Sequence, residues 1–404
     1  MTQLMYLYVV AMMIPTAKVA GIKISELLLM PLLGSIIMRP EIVFPRKQLL
    51  YFFLFFGFTV ISFIASCPVS DYNPEYLLGL KSVHIFNIVR LVQLFICFSV
   101  FAVFYNLKTE KEILSFVLVY CKVNTLLCAL SLICYVLFIA TGIITPNIYV
   151  NSSYDTYIPR LMSFAFVEPA PFSIFLVPSL FLCFFLRKKI SFAVQLIAFL
   201  LTMSSQGFIS GLVVFAIIAL RKHTIKGISL LILGAVLVIQ VPILEDIFIN
   251  KTIAVFNTEA DRTGAGGRHA AMFILPTMIE NNPLLGIGYS NYTFLRNKPE
   301  YLGPVPIVQE DDPQIGFLQM LAENGIFGFI AFVLMIIPII ILCIKSFNNN
   351  ITPLQKGIAC GCLALWFNLF GAAYLSFHQL WFFAGLTFAM YRINNKLNTS
   401  YVGH

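Results

Sequence analysis

Stretches of about 15 to 25 apolar residues recur along the whole chain, and that recurrence decides what it can fold into. Inside lipid every backbone polar group needs a partner within the protein, so spans of this length read as membrane helices. Twelve fall at residues 3–17, 22–38, 48–66, 84–105, 118–141, 170–186, 190–204, 207–220, 227–244, 325–344, 356–376 and 379–391. Composition agrees: of 404 residues 59% are hydrophobic and 11% charged, against about 25% charged in soluble domains. The expected fold is an all-α polytopic membrane protein of about 12 transmembrane helices. The first span has no basic leader and runs into Lys18 and Lys23 rather than a small-residue cleavage site, so it reads as a retained helix.

Short loops rich in Lys and Arg stay on the cytoplasmic side. With both termini inside, 15 of the 26 basic residues fall in cytoplasmic segments, nine fall opposite, and Arg90 and Lys122 lie within spans. This places the one long polar interval, residues 245–324, outside the cytoplasm. It divides the chain into helices 1 to 9 (1–244), a loop (245–324), and helices 10 to 12 with a cytoplasmic tail (325–404). Connections need only a few residues, so a loop this long is expected to carry function.

The loop holds Arg262, Arg268, Arg296 and the acidic run Glu310-Asp311-Asp312. Adjacent carboxylates raise each other's proton affinity, which suits a general base near neutral pH; a turn capping the next helix is the plainer reading. Apolar residues at helical spacing from Ala270 to Ile279 predict a helix lying on the outer membrane face. Leu284-Leu-Gly-Ile-Gly-Tyr289 reads as a tight turn whose glycines supply backbone freedom. Before the sixth span, Arg160 and Glu168 lie on the same outer side, and the prolines after Glu168 favour a turn that opens a helix. Glu168 is either its cap or a site carboxylate.

His84, Asn87 and Arg90 step along one helical face, as an internal structural pairing or a stripe lining a cavity. Lys122 reads as snorkelling to the nearer surface, and Lys108 to Glu112 as a solvated turn. Eight of the nine cysteines fall in apolar spans, which supports neither a disulfide framework nor a metal cluster. No zinc or Ser-His-acid pattern appears, and no nucleotide, metal or other cofactor is called for. A diphosphate-bearing lipid would explain the outer arginines, because a guanidinium grips phosphate oxygens in pairs and stabilises a leaving diphosphate.

Gly267-Arg-His, Asn282-Pro-Leu-Leu-Gly-Ile-Gly288 and Phe317-Leu-Gln-Met-Leu-Ala-Glu-Asn-Gly-Ile-Phe-Gly328 together resemble the O-antigen polymerase and O-antigen ligase superfamily of bacterial inner membranes. Arg160 with Phe166-Val-Glu-Pro169 resembles the matching segment of its polysaccharide polymerases. The resemblance implies a fold similar to C-type membrane glycosyltransferases and transfer of glycan from undecaprenyl diphosphate to a hydroxyl at the periplasmic face. Gln314 stands where ligase-like members tend to carry histidine, which favours polymerisation of lipid-linked repeat units over ligation to lipid A core. Ser205-Gln206-Gly207 lacks the arginine of the family's frequent Ser-Arg-Gly.

On this reading Arg268 and Arg160, with Arg90, Arg262 and Arg296 in support, hold the diphosphate. Asp312 or Asp311 acts as base, with Glu168 in reserve. The partners are lipid-linked glycans, membrane lipid and a chain-length regulator, with no nucleic acid. A lipid-linked oligosaccharide flippase or exporter is the reading from another class. A cysteine introduced as Thr293→Cys is expected to react with a membrane-impermeant thiol reagent once the outer membrane is permeabilised. Reaction only after inner-membrane lysis would reverse the orientation.

Overall fold

The computed structural model describes residues 2–19, 22–37, 45–66, 83–149, 159–166, 168–221, 266–302, 315–347, 351–370 and 375–401. Helices dominate. In chain order they are α1 (Thr2–Met12), α2 (Ile24–Ile37), α3 (Arg46–Ala65), α4 (Val83–Tyr105), α5 (Glu110–Thr141), α6 (Pro169–Phe185), α7 (Lys189–Leu201) and α8 (Ser205–Arg221). Then follow α9 (Gly266–Asn281), the one-turn helices α10 (Tyr292–Leu295) and α11 (Pro299–Leu302), α12 (Gly316–Lys345), α13 (Pro353–Phe367) and α14 (His378–Tyr401). Two-residue strands pair antiparallel, β1 (Lys18–Val19) with β2 (Ile22–Lys23) and β3 (Ile148–Tyr149) with β4 (Arg160–Leu161).

The all-α membrane architecture expected from the sequence is present, and four of the described helices, α3, α4, α5 and α12, are long and apolar enough to cross a membrane. α1, α2, α6, α7 and α8 are shorter apolar helices. The span expected at 227–244 lies outside the described residues. α1 and α2 are separate helices with the paired strands β1 and β2 between them, and α7 and α8 are joined by a tight turn in which Met203 takes a positive φ.

Several helix starts differ from expectation. α5 begins at Glu110, not 118, because Thr109 and Glu112 form a capping box: the Thr109 hydroxyl accepts from the Glu112 N–H at 3.2 Å, and the Glu112 carboxylate accepts from the Thr109 N–H at 3.3 Å. At about 1.5 Å per residue the helix is roughly 48 Å long, well beyond the roughly 30 Å hydrocarbon core. α13 likewise starts at Pro353, with the Thr352 hydroxyl accepting from the Gln355 N–H at 3.3 Å. α6 opens at Pro169, as its prolines predict.

The core sits where α4, α6, α13 and α14 meet, around Trp366 and Trp381, the two largest fully buried side chains. Phe52 and Phe98 stack at 3.7 Å and meet Trp381 edge-on at 6.2 and 5.9 Å. Small residues let the helices close, as Gly361 does against Pro178 and Gly385 against the Phe101 carbonyl.

The element that shapes the site is α12. It starts at Gly316 rather than 325, and it is two helical pieces broken at Gly325, where φ is 63° and ψ is −173°. Only glycine occupies that region without strain. A Cβ there would also stand 2.2 Å from the Leu284 carbonyl oxygen. Gly325→Ala is therefore expected to cost about 1–3 kcal/mol from backbone strain alone, with the steric clash in addition. The measurement is thermal unfolding in detergent, and an unchanged midpoint would remove the break as a structural requirement.

Candidate functional site

Breaking a helix at Gly325 takes the carbonyls of Ala322 and Glu323 away from their usual i+4 donors. The Asn282–Gly288 turn replaces those donors. The Ile287 N–H bonds the Ala322 carbonyl at 2.9 Å, the Gly288 N–H bonds the Glu323 carbonyl at 3.0 Å, and the Ile326 N–H returns to the Pro283 carbonyl at 2.9 Å. The Ser62 hydroxyl on α3 adds a 2.6 Å bond to the Glu323 carbonyl. Gly286 permits the approach: its φ is 74°, and a Cβ would fall 2.5 Å from Glu323 backbone atoms. The two stretches singled out in the sequence, 282–288 and 317–328, thus form one interlocked unit.

Polar side chains extend the interlock to α4. The Asn87 amide donates to the Asn291 side-chain carbonyl at 2.6 Å, and Asn291 in turn donates to the Ile287 carbonyl at 2.9 Å. Asn87, at the middle of the expected stripe, therefore joins α4 to the loop segment after the turn. Arg90 stacks over Phe86 with Cζ 5.0 Å from the ring centre and donates to Gln93 at 3.3 Å. Tyr289 lies within the fields of both Arg90 and Glu323: burial first and the Glu323 carboxylate second hold its hydroxyl above the ordinary tyrosine range, while Arg90 pulls the other way.

Glu323 was not among the residues nominated from the sequence. It is 1% exposed, and its carboxylate accepts from Gln319 at 3.0 Å and from the Tyr292 N–H at 3.4 Å. The available signal was an acidic residue followed by Asn-Gly at the start of an otherwise apolar span.

The arginines and carboxylates expected at the site are placed as follows. Arg268 occupies the first turn of α9. Arg160 donates from Nε to the Thr202 carbonyl at 2.9 Å and from an Nη to the Met203 carbonyl at 3.1 Å, holding the α7–α8 turn. Arg296 is 0% exposed and donates to the Thr293 carbonyl. Glu168 takes the N-cap position of α6, but its side chain makes no capping bond and stays exposed. Asp311, Asp312, Arg262 and Gln314 lie outside the described residues.

The apolar face of α9 differs from expectation. Ala271, Ile274, Leu275 and Met278 pack with Ile287, Tyr292 and Leu295 into a small core of their own instead of facing lipid. Beside this core the interlock leaves a cleft of about 490 Å³, bounded by Ala65 and Ser66 at the end of α3, by residues 282–287 and by Leu295, Lys298, Glu300 and Tyr301. Among the described residues no group of His, Cys, Asp and Glu has the arrangement of a metal site.

A polytopic membrane protein whose site is built where a broken helix meets a long loop segment defines the class. Residues 190–333 match the family described as O-Antigen ligase, of the O-antigen polymerase and ligase superfamily, whose members are glycosyltransferase-like enzymes. No curated protein matches the chain.

The Asn87–Asn291 bond is the joint between α4 and the loop. Asn87→Ala leaves the buried Asn291 carbonyl without that donor, at an expected cost of about 1–3 kcal/mol. A double-mutant cycle with Asn291→Ala, read by thermal unfolding, should return a coupling of about 0.5 kcal/mol or more. Additive effects would show that the two side chains act separately.

Proposed function

We propose that this chain is the polymerase of its superfamily: it transfers a growing glycan from undecaprenyl diphosphate to a sugar hydroxyl of the next lipid-linked unit, at the periplasmic face of the inner membrane. The observation that carries the reading is the overlap of the family match with the interlock. Residues 266–333, which contain α9, the turn and the break, lie inside the matched segment 190–333. Gln314, in place of the histidine typical of ligase-like members, favours polymerisation over ligation.

In the transfer, the acceptor oxygen attacks the anomeric carbon, the bond from that carbon to the diphosphate breaks, and a carboxylate takes the acceptor proton. Arg268 and Arg90 are the cations assigned to the leaving diphosphate. Arg160, its fork turned to backbone carbonyls, positions the α7–α8 turn, and the buried Arg296 supports the loop core. Asp312 or Asp311 is the base, and the exposed Glu168 is the next choice. A chain-length regulator in the same membrane would be a further partner.

A surface-glycan gel from a strain lacking this chain tests the reading. Single-unit caps in place of long chains support a polymerase; complete loss of caps points to a ligase or exporter; unchanged chains exclude all three. In the same strain Asp312→Asn should reproduce the single-unit pattern at normal protein level, because a general base contributes about 10²- to 10⁴-fold in rate. Asn caps a helix about as well as Asp, so long chains retained with Asp311→Asn and Asp312→Asn together would reduce the acidic run to a cap and make Glu168 the next residue to test.

A further inference from the structure

The cleft beside the interlock has a chemical character that its position alone does not give. Its apolar lining is aliphatic, with Ala65, Leu284, Leu285, Ile287 and Leu295. Its polar groups are Asn282, Lys298, Glu300 and Tyr301; the Ser66 hydroxyl, also on the wall, already donates to the Ser62 carbonyl at 2.8 Å. Tyr301 stands beside two of them: burial raises its hydroxyl above the ordinary tyrosine range, while Asn282 lowers it and Glu300 raises it further. A carboxylate accepts at about four lone-pair positions, so Glu300 keeps acceptor capacity facing the cleft. Asn282 is itself fixed, since its N–H bonds the Met278 carbonyl at 3.1 Å and its own carbonyl receives the Gly286 N–H at 3.0 Å.

A diphosphate needs a surplus of positive charge, and here one ammonium stands with one carboxylate. Like charge at the rim costs an anionic ligand affinity. A neutral polyhydroxylated ligand fits instead: hydroxyls both donate and accept, which suits a wall of mixed polarity, and the C–H faces of a pyranose ring cover aliphatic carbon. The volume falls within the roughly 300–1,000 Å³ of small-molecule sites.

We propose that this cleft is a glycan subsite, holding sugar rings of a lipid-linked unit through Asn282, Lys298, Glu300 and Tyr301, apart from the cations that meet the diphosphate. The proposal rests on the polymerase reading for the source of the glycan. Leu284, 57% exposed on the cleft wall, provides the reporter position.

The full chain carrying Leu284→Cys and Cys67→Ser is purified into lipid nanodiscs, and the rate of labelling by a membrane-impermeant maleimide is followed. Two probes are added separately: the oligosaccharide repeat unit released by mild acid from the native lipid-linked precursor, and undecaprenyl diphosphate without sugar. The oligosaccharide is expected to slow labelling and undecaprenyl diphosphate to leave it unchanged. Glu300→Gln, which preserves shape, should raise the oligosaccharide concentration needed by about tenfold, the loss of one charge-assisted hydrogen bond. Protection by undecaprenyl diphosphate alone, protection by neither probe, or protection indifferent to Glu300→Gln each overturns the subsite. Failure of the polymerase reading shows separately, as unchanged long chains or lost caps in the deletion strain.

Discussion

The structure depends on how the freed backbone groups at the break in α12 are satisfied. Ala322, Glu323 and Asn324 are buried away from bulk water, and a buried carbonyl left unmet costs about 1–3 kcal/mol. Here the 282–288 turn supplies two N–H groups, α3 supplies a hydroxyl, and one N–H beyond the break returns to the turn. The break and the turn thus define each other. Gly286 and Gly325 are where the backbones come too close for any Cβ.

From this joint the site's division of labour follows. The joint ties α3, α4, α9 and α12 to one short segment, so groups on different helices hold fixed relative positions. Arg90 and Tyr289 stand on the α4 side, the mixed-polarity cleft lies at the end of α3, and Glu323 sits buried within the joint. Transfer chemistry gains from such fixing, because reactive groups then need no reorganisation when charge develops.

Much of the scaffold was legible in the chain. Apolar runs marked the helices, Pro169 marked the start of α6, and the two glycine-bearing stretches of the long loop stood out. Their interlock was not legible, since pairing between residues some 40 positions apart leaves no periodicity to read. The apolar run places the start of the tenth span at 325; here helix continues on both sides of Gly325. The early start of α5 was readable in Thr109-Glu-Lys-Glu112, whose spacing is that of a capping box. The placement of Arg160 was not, because a guanidinium serves phosphate oxygens and helix-end carbonyls through the same geometry. Glu323 stood inside one of those stretches, but its role was not legible there, because the partners that bury its carboxylate, Gln319 apart, come from a distant part of the chain.

The order of the joint's parts along the chain bears on how the protein is made. Ser62 and the 282–288 turn both precede α12, and domains are synthesised N-terminal part first. By the time the ribosome delivers Gly325, the partners of the carbonyls freed at the break have already been translated. The break therefore reaches the membrane with its hydrogen-bond partners already made, while α13 and α14, which also pack against α12, are still to come.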